Sequence, residues 1–310
     1  MKRNRLRIFT GIVIAIILIV GAIPVSAATE KLTHKVVSIS NNESYTNTQA
    51  FAVGSRYAYY IQRYKGEKNH YKLYRSDIEG KNKNPVEIKA INSSDACAFG
   101  HANDMVTFSQ KGNTHLLVTT YEKGNSKANQ DLTNIEIYKN KAGKLTYKAV
   151  GHYKLRLRGK IVGVGGVDKL SSKGTMYTFI VKIAKKIYTV SIDVSKSKKT
   201  ADLKYAGTLN FGKKYNNYIR QGIEFDNGKL YVPLWAGQSN ENKSVILKYD
   251  WKQVLEKKTA SYEKCYAARR KDVKKFEIEG CNVLRKRLYY ATNSITFRRG
   301  QFDEIGYFKL

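Results

Sequence analysis

Five times in this 310-residue chain a polar residue or a glycine precedes a small residue and opens two hydrophobic runs joined by a turn. The pairs are Gln49–Ala50, His101–Ala102, Gly165–Gly166, Gln221–Gly222 and Glu279–Gly280, spaced by 52, 64, 56 and 58 residues. The clearest copy is Tyr218–Trp235, YIRQGIEFDNGKLYVPLW. Apolar runs flanking Asp226-Asn227-Gly228 are a strong hairpin signal, because Asn and Gly tolerate the positive φ angles of a two-residue turn. A degenerate repeat of strand pairs at this period is the mark of a propeller, in which each unit is one blade. The fold expected is therefore all-β, a five-bladed β-propeller. The N-terminal strand Lys35–Ser40 is expected to join the last blade beside Glu304–Leu310, because that closure removes an exposed edge.

Residues 1–27 read as a secretory signal peptide, with a single propeller domain over 28–310 and a basic, irregular insertion at about 252–272 that could hold a short helix. Lys2, Arg3, Arg5 and Arg7 form the positive region, Ile8–Ile23 the apolar core, and Val25-Ser26-Ala27 the small-residue cleavage site. An uncleaved anchor is the alternative, since the apolar run approaches the roughly 17–20 residues that span a bilayer. The protein is expected to be secreted and retained at a cell wall, touching a membrane only through this segment. Removing residues 1–27 lowers the formal charge from +31 to +27. A field of that sign attracts polyanions. The partner expected is an anionic wall polymer or glycan, with no specific nucleic acid and a monomeric state.

Cys97, Cys265 and Cys281 make an odd set, so one stays unpaired or pairs between chains. Cys265 and Cys281 could bridge; the other reading makes Cys97 and Cys281 small buried hydrophobes.

The innermost strand of each propeller blade lines the axis. Gln49, His101, Gln221 and Glu279 should converge there, with a small neighbour letting the backbones approach. Asp104 lies three residues beyond His101. Three uses stay open: a water-filled polar channel, a ligand or cation site, and catalysis. No cofactor is expected. A channel cation such as calcium is compatible with the oxygens of Gln49, Gln221 and Glu279, although only one of them is charged. His101 could act as an acid–base group, with an unperturbed pKa of roughly 6.5. Standard catalytic signatures are absent, and Glu136, Asp168, Glu224 and Asp226 cannot be placed at a glycosidase spacing. Two basic clusters are candidates for a polyanion surface, Arg156, Arg158 and Lys160, and Arg269, Arg270, Lys271, Lys274 and Lys275. Tyr57, Tyr59, Tyr60, Tyr231 and Trp235 read mainly as core rings between sheets.

QGIEFDNGKLYVPLW followed by SVILKYDW resembles a stretch of the helveticin J-like bacteriocins, a family of secreted β-propellers. FAVGSRYAYYIQRYKG and GHANDM are similar to further segments of that family. The resemblance covers about half of the chain after residue 27 and implies an antibacterial or wall-associated role, with no catalytic residue to carry over. The leading functional expectation is a basic propeller that binds an anionic envelope polymer, as a bacteriolysin-like protein would. The alternatives are a propeller enzyme, a glycan hydrolase or lyase working at the channel mouth, and a protein-binding scaffold.

Overall fold

The computed structural model describes residues 34–39, 45–64, 71–80, 83–92, 99–120, 131–237, 242–297 and 300–310. The expected leader and Cys97 lie outside these residues.

The chain is all-β and built from antiparallel meanders. It opens with β1 (His34–Ile39), followed by β2 (Tyr45–Val53), β3 (Tyr57–Tyr64), β4 (Tyr71–Asp77) and β5 (Val86–Ala90), of which β2 to β5 pair in order. A second meander runs through β6 (Met105–Gln110), β7 (Asn113–Thr119), β8 (Asp131–Lys139) and β9 (Leu145–Leu157), with β10 (Lys160–Val162) folding back on the end of β9. A third comprises β11 (Gly166–Lys173), β12 (Met176–Ile183) and β13 (Lys186–Asp193). Between β13 and its next partner, β14 (Lys198–Asp202) leaves this sheet to pair in parallel with β9; β15 (Lys204–Asn210) then returns to β13.

In the next sheet β16 (Ile219–Arg220) and β17 (Glu224–Asp226) both pair with β18 (Lys229–Trp235), which pairs with β19 (Lys243–Asp250). Residues 252–272, read from sequence as an irregular insertion, are instead regular along much of their length. The helix Trp251–Lys257 leads to β20 (Thr259–Ser261), which adds in parallel to β15, and to β21 (Lys264–Arg269), the outer partner of β19. Asp250 caps the helix by accepting from Gln253 N at 2.9 Å, which satisfies one of its free N-terminal amides. The last sheet holds β22 (Val273–Leu284), β23 (Arg287–Thr296), the short β24 (Gly300–Gln301) and β25 (Asp303–Lys309). The N-terminal strand β1 pairs with β25 and completes this sheet.

Hairpin chemistry sets much of the register. Asn227 and Gly228 have φ of 46° and 73°, so this loop is the mirror-image turn whose twist matches its strands. Apolar side chains from facing sheets fill the spaces between consecutive meanders. Ile61, Leu73, Leu116 and Ile135 join the first two; Phe108, Leu117, Phe179 and Val190 join the next pair. Ile180, Leu209, Val232 and Leu247 follow, then Ile246, Tyr266, Ile278 and Tyr290. Ile39, Phe51, Tyr60 and Tyr289 bring the last sheet against the first. Tyr59, Tyr60 and Tyr231 are buried as expected, whereas Tyr57 and Trp235 are half-buried. Fully buried tyrosines keep a partner for the hydroxyl: Tyr153 donates to Val194 O at 3.3 Å and Tyr249 to Asn210 O at 3.2 Å, which removes most of the cost of burying a polar group.

Cys265 and Cys281 are both free thiols in the core, and Tyr215 Oη lies 3.3 Å from Cys265 Sγ.

Candidate functional site at the inner strands

The first strands of the meanders, β2, β6, β11, β17 and β22, touch one another in succession, and β22 touches β2. Antiparallel pairing within each meander leaves the inner edge of such a strand without a ladder partner. Buried amides there need acceptors. Side-chain oxygens supply them from one meander to the next. Asp168 accepts from Phe225 N, Glu224 accepts from Val283 N at 2.8 Å and from Asn282 Nδ2, and Asn282 Oδ1 accepts from Val53 N. Asp168 and Glu224 also hydrogen-bond each other. The result is a continuous polar arc through four inner strands. Asp303 makes a second stitch, accepting from Thr48 N and Thr48 Oγ1, both at 2.7 Å, and from Ser294 N at 2.9 Å.

Asp104 occupies the axial place expected for His101. Its Oδ2 accepts from Val167 N and Ile223 N, each at 2.9 Å. Gly222 packs on this carboxylate so closely that a Cβ there would stand 2.4 Å from Asp104 Oδ1; the small residue is needed for backbone approach. His101 lies instead in the turn before β6, between Gly100 and Ala102, whose φ angles are 53° and 50°. Asp104 follows His101 at the same three-residue offset that separates Asp168 from Gly165 and Glu224 from Gln221.

Of the other axial candidates, Gln221 and Glu279 are linked through Glu277 and Asn293. Gln221 Nε2 donates to Glu277 Oε1 at 2.5 Å. Asn293 Nδ2 reaches Glu277 Oε2 at 3.2 Å and Glu279 Oε1 at 3.0 Å. Gln301 Nε2 donates to Asn293 Oδ1 at 2.9 Å. Lys275 Nζ pairs with Glu277 at 2.5 Å and lies 4.8 Å from the centre of the Trp235 ring. Gln49, on β2, is 4% exposed and faces the backbone of Thr48 at 3.4 Å. Among the described residues no group of three or more His, Cys, Asp or Glu is placed to hold a metal ion. Of the oxygens that could serve calcium, those of Glu279 are already engaged by Asn293.

Burial sets the proton affinities. It pushes Asp104 up to about 8 against the pull of two backbone amides, and Asp168 up to about 6. Glu224 is raised well above the usual carboxylate range by burial and then by the charge of Asp168. Glu279 is raised well above it too, by burial first and by Glu277 second. Burial lowers Lys182, 2% exposed, to about 8. Glu279 is thus a buried acid that holds its proton more tightly than an ordinary carboxyl, set beside the ion-paired Glu277. Two carboxyl pairs, Glu277–Glu279 and Asp168–Glu224, are in direct contact, closer than the roughly 5 Å or more that separates the two carboxyls of a glycosidase; Asp168 and Glu224 differ in their backbone partners. Sharing a proton and holding backbone amides, they are stitches between strands.

The basic clusters separate on inspection. Arg270 is tied to Asp272 at 2.8 Å and Glu304 at 3.0 Å, and Lys275 to Glu277, which leaves Arg269, Lys271 and Lys274 facing solvent. Arg156 is held by both oxygens of Asp202, at 2.6 and 2.7 Å. Arg158 and Lys160 are exposed at the β9–β10 turn.

Sequence reasoning set aside Asp168 and Glu224 and did not consider Asn282 or Glu277. A signal was available. Asp168, Glu224 and Asn282 each stand three residues after the aligned Gly165, Gln221 and Glu279.

No protein-family profile matches the chain, and no curated protein is similar to it in sequence. Solved structures are similar in shape. A GH43_1 enzyme from Xanthomonas citri, complexed with xylose, superposes with a TM-score of 0.53 at 7% identity, covering 88% of this chain and 90% of that one. A GH43 endo-arabinanase from Bacillus licheniformis gives 0.52 at 11%, covering 87% and 96%. An exo-1,5-alpha-L-arabinanase from a bovine ruminal metagenomic library gives 0.52 at 9%, covering 87% and 95%. At such identities the likeness shows the fold alone, a β-propeller.

Proposed function

We propose that this protein is a secreted, five-bladed β-propeller that binds a glycan at the axial mouth and hydrolyses a glycosidic bond there. The observation that carries this reading is the geometry around Glu279. A buried acid whose proton affinity is raised by burial and by a neighbouring carboxylate can give its proton to a departing glycosidic oxygen, the usual first requirement of this chemistry. Glu277, ion-paired to Lys275, hydrogen-bonds Glu279 and holds its proton in place, and water completes the cleavage by adding to the anomeric carbon and returning a proton to Glu279. Gln221 and Asn293 hold these carboxylates in place, and the half-buried Trp235 offers a face on which a sugar could stack. The sugar-acting enzymes that share the fold support the reading. With a wall glycan as substrate, the same cleavage would produce the antibacterial action that the likeness to the helveticin J-like proteins implies.

The test is release of reducing ends from arabinan, xylan, galactan and isolated Gram-positive walls, by the wild type and by Glu279→Gln. Turnover on one of these that falls at least about a hundredfold in the variant, with an unchanged circular dichroism spectrum, is the result expected. Wild-type turnover that survives in the variant, or no turnover on any glycan, would overturn the reading.

A further inference from the structure

The outer end of β9 carries a charge pattern that the axial site does not use. Tyr153 and Leu155 point inward, while Lys154, Arg156 and Arg158 are exposed, the period-two alternation of a strand with one wet face. On one side β14 lies parallel, pairing Lys198 with His152, Thr200 with Lys154 and Asp202 with Arg156. The turn to β10 adds the exposed Ile161, paired with Arg156 on this face, whereas Lys160, opposite Leu157, and Lys199, opposite Tyr153, belong to the other face. Two carboxylates belong to this face and both are taken. Asp202 holds Arg156, and Asp131 lies 3.5 Å from His152. Among the described residues Lys154, Arg158, Lys160, Lys198 and Lys199 make no ion pair.

Residues two apart on a strand stand roughly 7 Å apart and neighbouring strands roughly 4.8 Å. Lys154 and Lys198, two residues and one strand apart, therefore stand roughly 8 Å from each other, about the Debye length at physiological salt, and Arg158 extends the same face along β9. We propose that the outward face of β9, β10 and β14 is a docking surface for a linear anionic polysaccharide, whose repeated carboxylate or phosphate groups lie against Lys154, Arg158 and Lys198. A single-stranded nucleic acid fits it less well. Such strands need aromatic platforms for their bases, and the outward positions of this ribbon carry Ile161, Thr200, His152 and charged side chains but no Tyr, Phe or Trp ring. The surface is separate from the axial residues, so binding here is expected whether or not the chain cleaves glycans.

The experiment is equilibrium binding of the full chain to four probes, polygalacturonate, wall teichoic acid, dextran and DNA in single-stranded and duplex form, across a salt series. The variants are Lys154→Glu/Arg158→Glu/Lys198→Glu and, as a control of equal charge change, Arg269→Glu/Lys271→Glu/Lys274→Glu. The first triple should lose at least about tenfold in affinity for polygalacturonate or teichoic acid and flatten the salt dependence, as expected when contacts to a polyanion are removed. The control should lose less than about threefold, and Glu279→Gln should bind as the wild type does. Retention on polygalacturonate alone identifies carboxylates as the ligand groups; retention on teichoic acid alone identifies phosphates. Equal losses in both triples, binding to dextran, or a preference for DNA that depends on the ribbon would overturn the proposal.

Discussion

Replacing Asp104 by alanine should cost more stability than replacing it by asparagine. The reason lies in the two amides that meet on one oxygen. Val167 N and Ile223 N both donate to Asp104 Oδ2 at 2.9 Å, and Asp104 is 1% exposed. Alanine leaves both donors without an acceptor in a dry place, at about 1–3 kcal/mol each, or about 2–6 kcal/mol together. For a chain of this size each kcal/mol corresponds to roughly 2–4 °C in Tm, so the variant should melt about 4–24 °C below the wild type. Asparagine keeps a carbonyl oxygen and the shape of the protonated acid, and should lie within about 1 kcal/mol of the wild type at pH 5. The pH dependence separates the two forms further. The folded carboxyl is pushed up to about 8, above its unfolded value of about 3.9, so the folded state holds the proton more tightly. Stability from this group is complete at low pH and is lost as pH rises towards 8. The asparagine variant lacks that loss and should gain on the wild type between pH 5 and 8. Lys182, lowered to about 8, contributes its own pH dependence above that window. Urea unfolding followed by circular dichroism at both pH values reads all three proteins. An alanine variant as stable as the wild type, or an asparagine variant as damaged as alanine at pH 5, would refute the role assigned to Asp104.

Asp303→Asn should flatten the pH dependence of stability between about 4 and 6, because burial pushes this acid up to about 6 and its protonated form is favoured on folding; an unchanged slope in urea midpoints would contradict this. In a Cys97→Ser background, Cys265 and Cys281 should be silent to a thiol reagent until denaturant is added. Burial raises both thiols above the ordinary range and hides them, and rapid labelling of the native protein would count against the core positions described.

What the sequence shows of this fold depends on how local the signal is. The Asp226-Asn227-Gly228 hairpin is readable because turn chemistry and strand alternation sit in one short window. The pairing of β1 with β25 is readable from the need to protect two terminal edges. His101 misleads because the strained turn at Gly100–Ala102 looks like a strand start, and the true axial acid, Asp104, comes three residues later. The stretch 252–272 looks irregular because its partners are remote: β20 adds to β15, far back in the chain, and Arg270 is held by Glu304. The basic runs look uniform in sequence, yet Asp202, Asp272 and Glu277 neutralise three of their members. Charge pairing of this kind is a property of strand neighbours, and composition does not carry it.

The most direct measurement is a crystal structure of Glu279→Gln with an oligosaccharide of the glycan the wild type cleaves. The expected result is a sugar ring over Trp235, with a glycosidic oxygen at a hydrogen-bonding distance of about 3 Å from the side chain at position 279. An oligosaccharide bound elsewhere on the propeller, with no contact to Gln221, Glu277 or Asn293, would contradict the account.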